Sequence, residues 1–383
     1  MQSGRQAEKR EMSTQRKTEL SFDDLLKEVV DKGVCNKCGV CVSFCTAHQI
    51  GAIEMHEGPD GSLPRYADPD KCFRCGICYL ICPQTRELDD DVGAGTTVPN
   101  GVLQDVISAR ATDPKVMEVA TDGGVVTALL SHMLEAGMID GAIVAERTGL
   151  FSRKPVIATT REELIQAAGS QFSESSHLGQ VGEKYSTYVP VLPVVKEFEP
   201  RQTTRLAVVG TPCQITAVRK MQLLNILPAD AICFTVGLFC MQCFGFDNLM
   251  GKTFVKKYHI VPDDILGINV KDDFRLKMKS GVTIHIPFSE IEDIARPACL
   301  ACRNFANDFA DISVGGLGSP DGYTTILVRT AMAKRTFAEV VDHGRIEMKA
   351  LSDSDKRSLV SVVEAVAARK RERAERHRAR GEN

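Results

Sequence analysis

Two cysteine runs near the amino terminus constrain this chain more than any other feature of its sequence. Both have the spacing C-x2-C-x2-C-x3-C, which in proteins binds a pair of 4Fe–4S clusters. Three closely spaced thiolates then bind one cluster, and the fourth cysteine of each run binds the other. The spacing therefore predicts one cluster on Cys35, Cys38, Cys41 and Cys82, and a second on Cys72, Cys75, Cys78 and Cys45.

Other uses of these eight cysteines fit the pattern less well. Zinc sites usually show two pairs of ligands rather than two identical four-cysteine runs. The first twenty residues are polar and charged and do not read as a signal peptide, so the 14 cysteines of the chain favour metal ligands in a reducing cytosol over disulfides. We therefore predict a cytoplasmic protein that handles single electrons.

Composition excludes several classes of function. The 383 residues are enough for two or three domains, and the net charge of −3 argues against bulk binding of nucleic acid. Trp is absent and aromatic residues make up only 6%, which removes the stacking platforms of proteins that bind single-stranded nucleic acid. No apolar run reaches the roughly 20 residues of a membrane span, and the nearest, at 231–246, contains three cysteines.

The N-terminal region divides into an arm and a small unit. Residues 1–20 are charged and poor in apolar side chains, which predicts a disordered arm. A ferredoxin-like domain with both clusters is predicted for residues 21–92, beginning with a helix capped by Ser21. A polar, glycine-containing stretch at 89–95 predicts a linker and a domain boundary.

The segment between the two cysteine runs departs from the compact ferredoxin pattern. It is long and contains a predicted hairpin turn at residues 58–61, and Cys45 is followed by Thr46 where the run usually has proline. An exposed insertion is the favoured interpretation, and a docking surface is the alternative.

The remaining chain, residues 100–345, alternates between helical and strand patterns. This predicts an α/β (α+β) domain with a mixed sheet that has an antiparallel portion. The clearest predicted elements are a helix at 125–136, strands at 141–145, 206–210 and 231–239, and a hairpin at 274–286. Residues 351–383 predict a basic C-terminal helix or tail, capped by Ser354. A solvated, frayed helix end is favoured for it over contact with an anionic membrane surface or an acidic partner.

Three stretches of the second domain could carry chemistry. A glycine pair opens the helix in 121–129 (TDGGVVTAL), where backbone N–H groups could face a phosphate or a flavin, although such a turn is more often only a turn. Residues 210–214 (GTPCQ) form a strand-to-helix turn, where α/β sheets place ligands. Cys213 lies at the start of that helix, which predicts a lowered thiol pKa.

The third stretch is a set of separated cysteines. Cys240-x2-Cys243 and Cys299-x2-Cys302 have the spacing of a zinc site, and Cys213 makes a fifth candidate for four positions. Cys233, in an apolar strand, is predicted to be a buried free thiol.

Four motifs in order resemble the beta subunit of coenzyme F420-reducing hydrogenases. They are 123–130 (GGVVTALL), 210–214 (GTPCQ), 237–240 (GLFC), and 297–302 (PACLAC) followed by 310–316 (ADISVGG), and the resemblance covers about residues 100–330. The ferredoxin unit in front is similar to the input subunit of archaeal F420H2 dehydrogenases.

This resemblance implies a bound FAD, a docking site for coenzyme F420 over its ring, and a third 4Fe–4S cluster. The implied cluster ligands are Cys213, Cys240, Cys299 and Cys302, with Cys243 outside the matching motif. The implied FAD contacts are Gly123, Gly124, Val125, Thr127, Gly210, Thr211, Pro212 and Ser170. Ser170 lies in 169–172 (GSQF), which looks like the family's flavin-contact segment with Gln and Phe substituted. Arg153, Lys154 and Arg303 either meet the anionic tail of the coenzyme or, as favoured, are ordinary solvated charges.

The electron count agrees with these implied cofactors. A deazaflavin coenzyme transfers a hydride, whereas a 4Fe–4S cluster accepts one electron at a time, and a flavin mediates between the two. The chain is thus expected to be a coenzyme F420 oxidoreductase subunit that needs no catalytic acid–base residue, with electrons flowing in either direction. The alternatives are a ferredoxin-dependent reductase of the same superfamily and a non-catalytic electron-transfer adaptor.

The resemblance also limits the setting of the protein. A hydrogenase, a formate dehydrogenase, a heterodisulfide reductase or a membrane dehydrogenase would each accept such a subunit. A methanogenic archaeon or a relative is the implied source, with the protein in the cytoplasm or held at the inner membrane face through a partner.

Overall fold

The computed structural model describes most of the chain. The described residues are 20–56, 63–95, 103–149, 152–169, 205–226, 229–244, 248–271, 273–292 and 294–381. The predicted disordered arm up to residue 19, the predicted turn at 58–61 and Ser170 lie outside them.

Helices and strands are numbered here in chain order over the described residues. The strands are β1 (Ile53–His56), β2 (Leu63–Tyr66), β3 (Asp105–Ala111), β4 (Gly141–Gly149), β5 (Ser152–Ala158), β6 (Leu206–Gly210), β7 (Ile232–Leu238), β8 (Ile265–Val270), β9 (Phe274–Met278), β10 (Thr283–Ile286), β11 (Ile312–Gly315), β12 (Thr324–Val328) and β13 (Ile346–Met348). The α-helices are α1 (Phe22–Leu25), α2 (Val40–Ala47), α3 (Ile77–Leu80), α4 (Asp89–Gly95), α5 (Pro114–Val119), α6 (Val125–Glu135), α7 (Arg161–Gln166), α8 (Pro212–Leu223), α9 (Pro297–Leu300), α10 (Ala331–Asp342) and α11 (Asp353–Gly381). Two π-helices lie at Leu26–Val30 and Asn248–Lys257.

An eight-stranded mixed sheet lies at the centre of the protein, as the alternating pattern predicts. Its spatial order is β13-β3-β12-β11-β7-β6-β4-β5. The four strands β11, β7, β6 and β4 run parallel, and the strands outside them pair antiparallel. The carboxyl ends of the parallel strands therefore meet at one edge, which is where open α/β sheets bind ligands.

Helices and the cysteine unit cover the two faces of this sheet. On one face Leu129 of α6 and Phe337 of α10 pack against Phe234. On the other, Met221 of α8 belongs to one continuous buried cluster with Phe44 of the cysteine unit. The N-terminal cysteines are thus placed against the helix that follows β6.

A smaller sheet, β10-β9-β8, stands apart from the main one. It is antiparallel and includes the predicted hairpin at 274–286. Phe254 of the second π-helix and Phe274 of β9 form its own buried cluster. The two short strands β1 and β2 pair as the predicted hairpin between the cysteine runs.

The prediction of a linker at 89–95 is wrong, because these residues form helix α4. Leu88 and Val92 are four positions apart and are 4% and 1% exposed, so one side of the segment is buried despite its polar composition. Asp89, Asp90 and Asp91 lie in the first turn, where carboxylates interact favourably with the helix dipole.

The C-terminal segment is not the solvated, frayed helix end that its charge favours. Helix α11 continues through the basic run, and Lys370 within that run is 1% exposed. Its start is capped by Ser352 rather than Ser354, since the Ser352 hydroxyl oxygen accepts a hydrogen bond from the Asp355 N–H over 3.2 Å. None of the helices in the described part of the chain combines the length and apolar content that a membrane span requires.

Candidate cofactor cavity and cysteine sites

The two N-terminal cysteine loops repeat the same backbone conformation. Gly39 and Gly76, each four residues after the first cysteine of its run, have φ of 69° and 70°. Lys37 and Arg74, each two residues after that cysteine, have φ of 56° and 52°. These left-handed positions disfavour residues with a Cβ, so their recurrence at matching places indicates an internal structural repeat.

The fourth cysteine of each loop lies near the sulfurs of the other loop. Burial, together with the nearby sulfur of Cys82, raises the pKa of Cys35 to about 12. Burial and the neighbouring sulfurs, Cys45 among them, likewise raise the pKa of Cys78 to about 12. The structure thus brings the eight cysteines into the two crossed groups that the spacing predicts.

Backbone donors already point at some of these sulfurs. The N–H of Lys37 donates to Cys35 Sγ over 3.3 Å, and the N–H of Ala52 donates to Cys45 Sγ over 3.2 Å. Such hydrogen bonds stabilise thiolates and tune the reduction potential of a bound cluster.

A third cysteine site lies at the carboxyl edge of the main sheet. Cys213 opens α8 after β6, Cys240 follows β7, and Cys299 and Cys302 lie on and just after α9. Burial, together with the nearby sulfurs of Cys302, Cys240 and Cys299, raises the pKa of Cys213 to about 12. The predicted lowering of this pKa is therefore wrong, because burial outweighs the start of the helix.

Cys243, which the motif leaves out, also lies at this site. Its N–H donates to Cys299 Sγ over 3.2 Å. Its thiol interacts with the sulfurs of Cys240 and Cys299, which raises the pKa of Cys243 and lowers that of Cys299 to about 6. Five cysteines therefore converge here. Cys233, by contrast, is exposed on β7 and is not the predicted buried thiol.

The spacing of the sulfurs bears on the choice between zinc and an iron–sulfur cluster. A tetrahedral zinc site with Zn–S bonds of about 2.3 Å holds its sulfurs roughly 3.8 Å apart. Among the residues that the structure describes, no three cysteine sulfurs lie within 4.8 Å of one another. This wider spacing of the sulfurs leaves room for a 4Fe–4S cluster between them.

A large cavity opens beside the third cysteine site. It has a volume of about 720 Å³ and lies at the carboxyl edge of the parallel strands. Of the predicted FAD contacts, the structure places Gly124, Val125, Thr127, Gly210 and Thr211 on its wall. Cys240 and Cys243 line the same cavity.

Gly123 and Pro212 are not among the residues that line the cavity. The N–H of Gly123 donates to Thr324 Oγ1 over 3.0 Å, so it does not face a ligand. A Cβ at Gly123 would lie 2.5 Å from the carbonyl oxygen of Ala109. This glycine is therefore required for close packing of the turn against β3 and β12.

Three polar residues on the cavity wall were missed by sequence reasoning. Asn269 Nδ2 donates to Asp122 Oδ1 over 3.0 Å, and Lys271 Nζ lies 3.7 Å from the same oxygen. Burial raises the pKa of Asp122, while Asn269 and Lys271 oppose the shift. Asp122 adjoins the glycine pair and could have been suspected, but no local pattern marks the two residues on and after β8.

Helix α11 forms another part of the wall. Val362, Val366 and Arg369 line the cavity, and Lys370 lies behind them. Burial alone would lower the pKa of Lys370, but the sulfurs of Cys302, Cys240 and Cys299 raise it above its usual value. The number of basic residues in the C-terminal segment does not predict that Lys370 lies next to the third cysteine site.

Of the three residues considered for an anionic tail, the structure describes the side chain of Arg303. Arg303 is half-exposed, pairs with Glu375 over 3.2 Å, and does not line the cavity. The side chains of Arg153 and Lys154 lie outside the described part of the chain.

Direct contacts join the third cysteine site to the N-terminal cysteine unit. Gln84 Nε2 donates to the carbonyl oxygen of Ala298 over 3.1 Å. Arg296, just before α9, is close enough to Cys35 to lower the pKa of that thiol against the stronger effect of burial. The cavity, the third site and the first crossed group therefore follow one another in space.

Comparison with known families gives two matches that together cover most of the second domain. Residues 106–183 match the N-terminal part of the coenzyme F420 hydrogenase/dehydrogenase beta subunit. Residues 203–354 match the C-terminal part of the same subunit.

Individual relatives extend this similarity. The coenzyme F420 hydrogenase beta subunit of Methanosarcina barkeri is 32% identical over 64% of this chain and 82% of its own length. A subunit of the F420H2 dehydrogenase of Methanosarcina mazei is 27% identical over 86% of this chain and 87% of its own. A chain of the F420-reducing [NiFe] hydrogenase complex from Methanosarcina barkeri superposes with a TM-score of 0.62, at 28% identity over 72% of this chain and 91% of that one.

Proposed function

Because this chain belongs to the family of coenzyme F420 hydrogenase/dehydrogenase beta subunits, we propose that it is an F420-dependent oxidoreductase subunit. It exchanges a hydride between coenzyme F420 and a bound FAD. Single electrons then pass between the FAD and a partner complex through three 4Fe–4S clusters. The same route serves either direction of electron flow.

The observation that carries this proposal is the shared wall between the cavity and the third cysteine site. Cys240 and Cys243 line the cavity, while Cys213 lies directly behind Thr211, which also lines it. A group bound in the cavity would therefore stand next to a cluster held by these cysteines. That adjacency is what transfer of electrons from a flavin into a metal relay requires.

The residues of the cavity fit a flavin nucleotide. A volume of about 720 Å³ lies in the range of cofactor sites, roughly 300–1,000 Å³, and its position at the strand ends is typical of nucleotide binding. Its walls are largely apolar, with side chains such as Val125, Leu238 and Phe244, and these would exclude water from the reacting rings. Asp122, Asn269 and Lys271 would orient the polar part of the cofactor.

The cysteine groups fit 4Fe–4S clusters. Each crossed N-terminal group offers three sulfurs from one glycine-containing loop and a fourth from the other loop, and backbone N–H groups already point at Cys35 and Cys45. The third site offers Cys213, Cys240, Cys299 and Cys302 as proposed ligands, and within the described residues no three cysteine sulfurs lie within 4.8 Å of one another.

The chain's own residues perform binding, insulation and positioning. A bound FAD would supply the exchange between a two-electron hydride and single electrons. The contacts between α8, α9 and the Cys82 loop hold the cysteine sites in series. No acid–base residue is assigned, since a hydride donor and an electron relay need none.

The partner and location follow from the family as proposals. We expect a hydrogenase, formate dehydrogenase, heterodisulfide reductase or membrane dehydrogenase as the partner complex. The protein would lie in the cytoplasm, or at the inner membrane face through that partner, in an organism that makes coenzyme F420.

Anaerobic purification with analysis of flavin and metals tests the proposal. About twelve irons and one FAD per chain are expected for three clusters, with flavin absorbance that bleaches on addition of F420H2. About eight irons with one zinc would show that the third cysteine site binds zinc and not a 4Fe–4S cluster. Bleaching by reduced ferredoxin but not by F420H2 would favour the ferredoxin-dependent reductase, and iron without flavin would favour the adaptor.

A further inference from the structure

Helix α11 lies almost wholly beyond the matched family ranges, which end at residue 354. It is still an integral part of the folded protein. Leu359, Val363 and Ala367 pack in one buried cluster with Phe305, which follows the third cysteine site in the chain. The helix is therefore held firmly against the loops that carry those cysteines.

Two cations of α11 reach into these loops. Lys370 Nζ donates to the carbonyl oxygens of Cys240 over 2.5 Å and Asn304 over 2.9 Å. Arg373 donates to the carbonyl oxygen of Cys299 over 3.2 Å. One helix thus fastens two of the segments that supply the proposed cluster ligands.

Lys370 also brings an uncompensated charge. It is 1% exposed, and within the described residues its hydrogen-bond partners are carbonyl oxygens rather than carboxylates. Carbonyl oxygens satisfy its hydrogens without neutralising its charge, and a buried unpaired charge is strongly destabilising. A 4Fe–4S cluster with four thiolates is an anion, so a cluster at this site would supply the missing negative charge.

We propose that Lys370, assisted by Arg373, raises the reduction potential of the third cluster, an inference that rests on the proposed presence of that cluster. Uptake of one electron makes the cluster more negative. A fixed positive charge nearby therefore stabilises the reduced form more than the oxidised form. Lys370 acts as a positioning residue, because it contacts backbone oxygens and not the reacting atoms.

The test is a redox titration of the intact holoprotein, followed by electron paramagnetic resonance, on Lys370→Met, Lys370→Arg and Arg376→Met. Lys370→Met should lower the potential of one cluster so that its reduced-to-oxidised ratio at fixed potential falls about tenfold, which is 59 mV for one electron. Lys370→Arg keeps the positive charge, so its cluster potential should stay close to that of the wild-type protein. Arg376→Met should change nothing, because Arg376 is an exposed residue of the same helix.

The outcomes separate this inference from the proposed function. A wild-type protein with only two clusters would remove the proposed function itself. A wild-type protein with three clusters, whose potentials are all unchanged in Lys370→Met, would overturn the role of Lys370. If Lys370→Met does not assemble, Arg373→Gln replaces it, with a smaller shift in the same direction expected and no shift counting against the proposal.

A second, independent feature lies far along the chain from the cysteines. His132, near the end of α6, is 4% exposed, and its Nε2 has no hydrogen-bond partner among the residues that the structure describes. This nitrogen lies 3.6 Å from Glu339 Oε1 on α10. The ring of His343 lies 4.8 Å from that of His132, and its Nδ1 hydrogen-bonds the carbonyl oxygen of Glu339 over 2.8 Å. That bond leaves His343 Nε2 available as a ligand.

We infer that His132, Glu339 and His343 form a binding site for a divalent transition metal ion such as Zn²⁺. Their ligand atoms all lie within 4.8 Å of one another. Two imidazoles and one carboxylate are a donor set that Zn²⁺ accepts, with water as a fourth ligand. A metal here would link the end of α6 to α10. The start of α6 lines the cavity.

Zinc added to the holoprotein, followed by desalting, metal analysis and X-ray absorption at the zinc edge, tests this site. About one retained zinc with nitrogen and oxygen ligands at about 2.0–2.1 Å is expected, and stray zinc on cysteines would instead show sulfur at about 2.3 Å. His343→Gln and Glu339→Gln should lose the ion, whereas His285→Gln, at the exposed pair with Asp273, should retain it. A sulfur shell alone, or zinc retained by His343→Gln, would overturn the site.

Discussion

The side-chain amine of Lys220 donates to the carbonyl oxygen of Cys82 over 3.0 Å. Lys220 lies on α8, the helix that Cys213 opens, and its side chain is fully buried. It also donates to the carbonyl oxygen of Thr85 over 2.6 Å and pairs with Asp89 over 2.9 Å. One lysine therefore joins the helix of the third cysteine site to the loop that carries a proposed ligand of the first cluster.

We expect Lys220→Met to destabilise the protein and to slow electron transfer between the two cysteine units. The substitution keeps the apolar stem but leaves two buried carbonyl oxygens and Asp89 without their donor, a loss of about 2–3 kcal/mol. Thermal unfolding of the holoprotein measures the first effect, and reduction of the N-terminal clusters by F420H2 measures the second. Lys71→Met is the control, because Lys71 is an exposed lysine that pairs with the exposed Asp68. Equal unfolding temperatures for the two variants would contradict the prediction.

Gly124→Ala and Gly137→Ala form a matched pair of backbone tests. Gly124 and Gly137 have φ of 66° and 64°, so alanine is strained at both by about 1–3 kcal/mol. A Cβ at Gly124 would also lie 2.9 Å from Val116 Cγ1, whereas no atom of the described residues lies within 4 Å of one at Gly137. Because only Gly124 lines the cavity, FAD content should fall in Gly124→Ala and stay normal in Gly137→Ala. Equal FAD loss in both variants would assign the effect to general strain.

Local spacing predicts the parts of this protein that depend on neighbours in sequence. The eight cysteines from Cys35 to Cys82 lie within two short runs of the chain, so their spacing already limits which sulfurs can share a cluster. The cap of α8 by Thr211 and Pro212 is likewise a local signal, and the structure confirms it. The third site is different, because its cysteines come from distant segments: spacing offered five candidates for a zinc site, and only the resemblance to a family selected four of them for an iron–sulfur cluster.

Composition misleads where burial depends on one face of a helix. The stretch at 89–95 is polar on average, but the spacing of Leu88 and Val92 buries one side of it. The basic tail is charged on average, but Lys370 lies on the side of α11 that meets the Cys240 loop. The average composition of a segment does not distinguish the two faces of its helix. It therefore predicts solvent exposure for positions that tertiary packing has buried.

Serine substitutions at the third site test which cysteines bind the cluster. Cys299→Ser should lose about four of about twelve irons, the content of one cluster. Cys243→Ser should retain them, because we propose that Cys243 contributes its backbone N–H to Cys299 Sγ rather than a metal–sulfur bond. Cys233→Ser is the control, since that thiol is exposed on β7. If Cys243→Ser loses iron while Cys302→Ser keeps its full iron content, the fourth ligand of the cluster is Cys243 and not Cys302.

Cys213→Ala should separate hydride transfer from electron exit. Cys213 lies behind the cavity wall, 3.2 Å from the Thr211 hydroxyl, so its removal would disturb the third cluster while leaving most of the cavity intact. F420H2 should still bleach the flavin, but electron transfer onward to an artificial acceptor such as a viologen should fall at least tenfold. Stopped-flow absorbance at the flavin band and steady-state viologen reduction measure the two steps. Cys233→Ala controls for loss of a thiol, and unchanged viologen reduction in Cys213→Ala would remove Cys213 from the electron path.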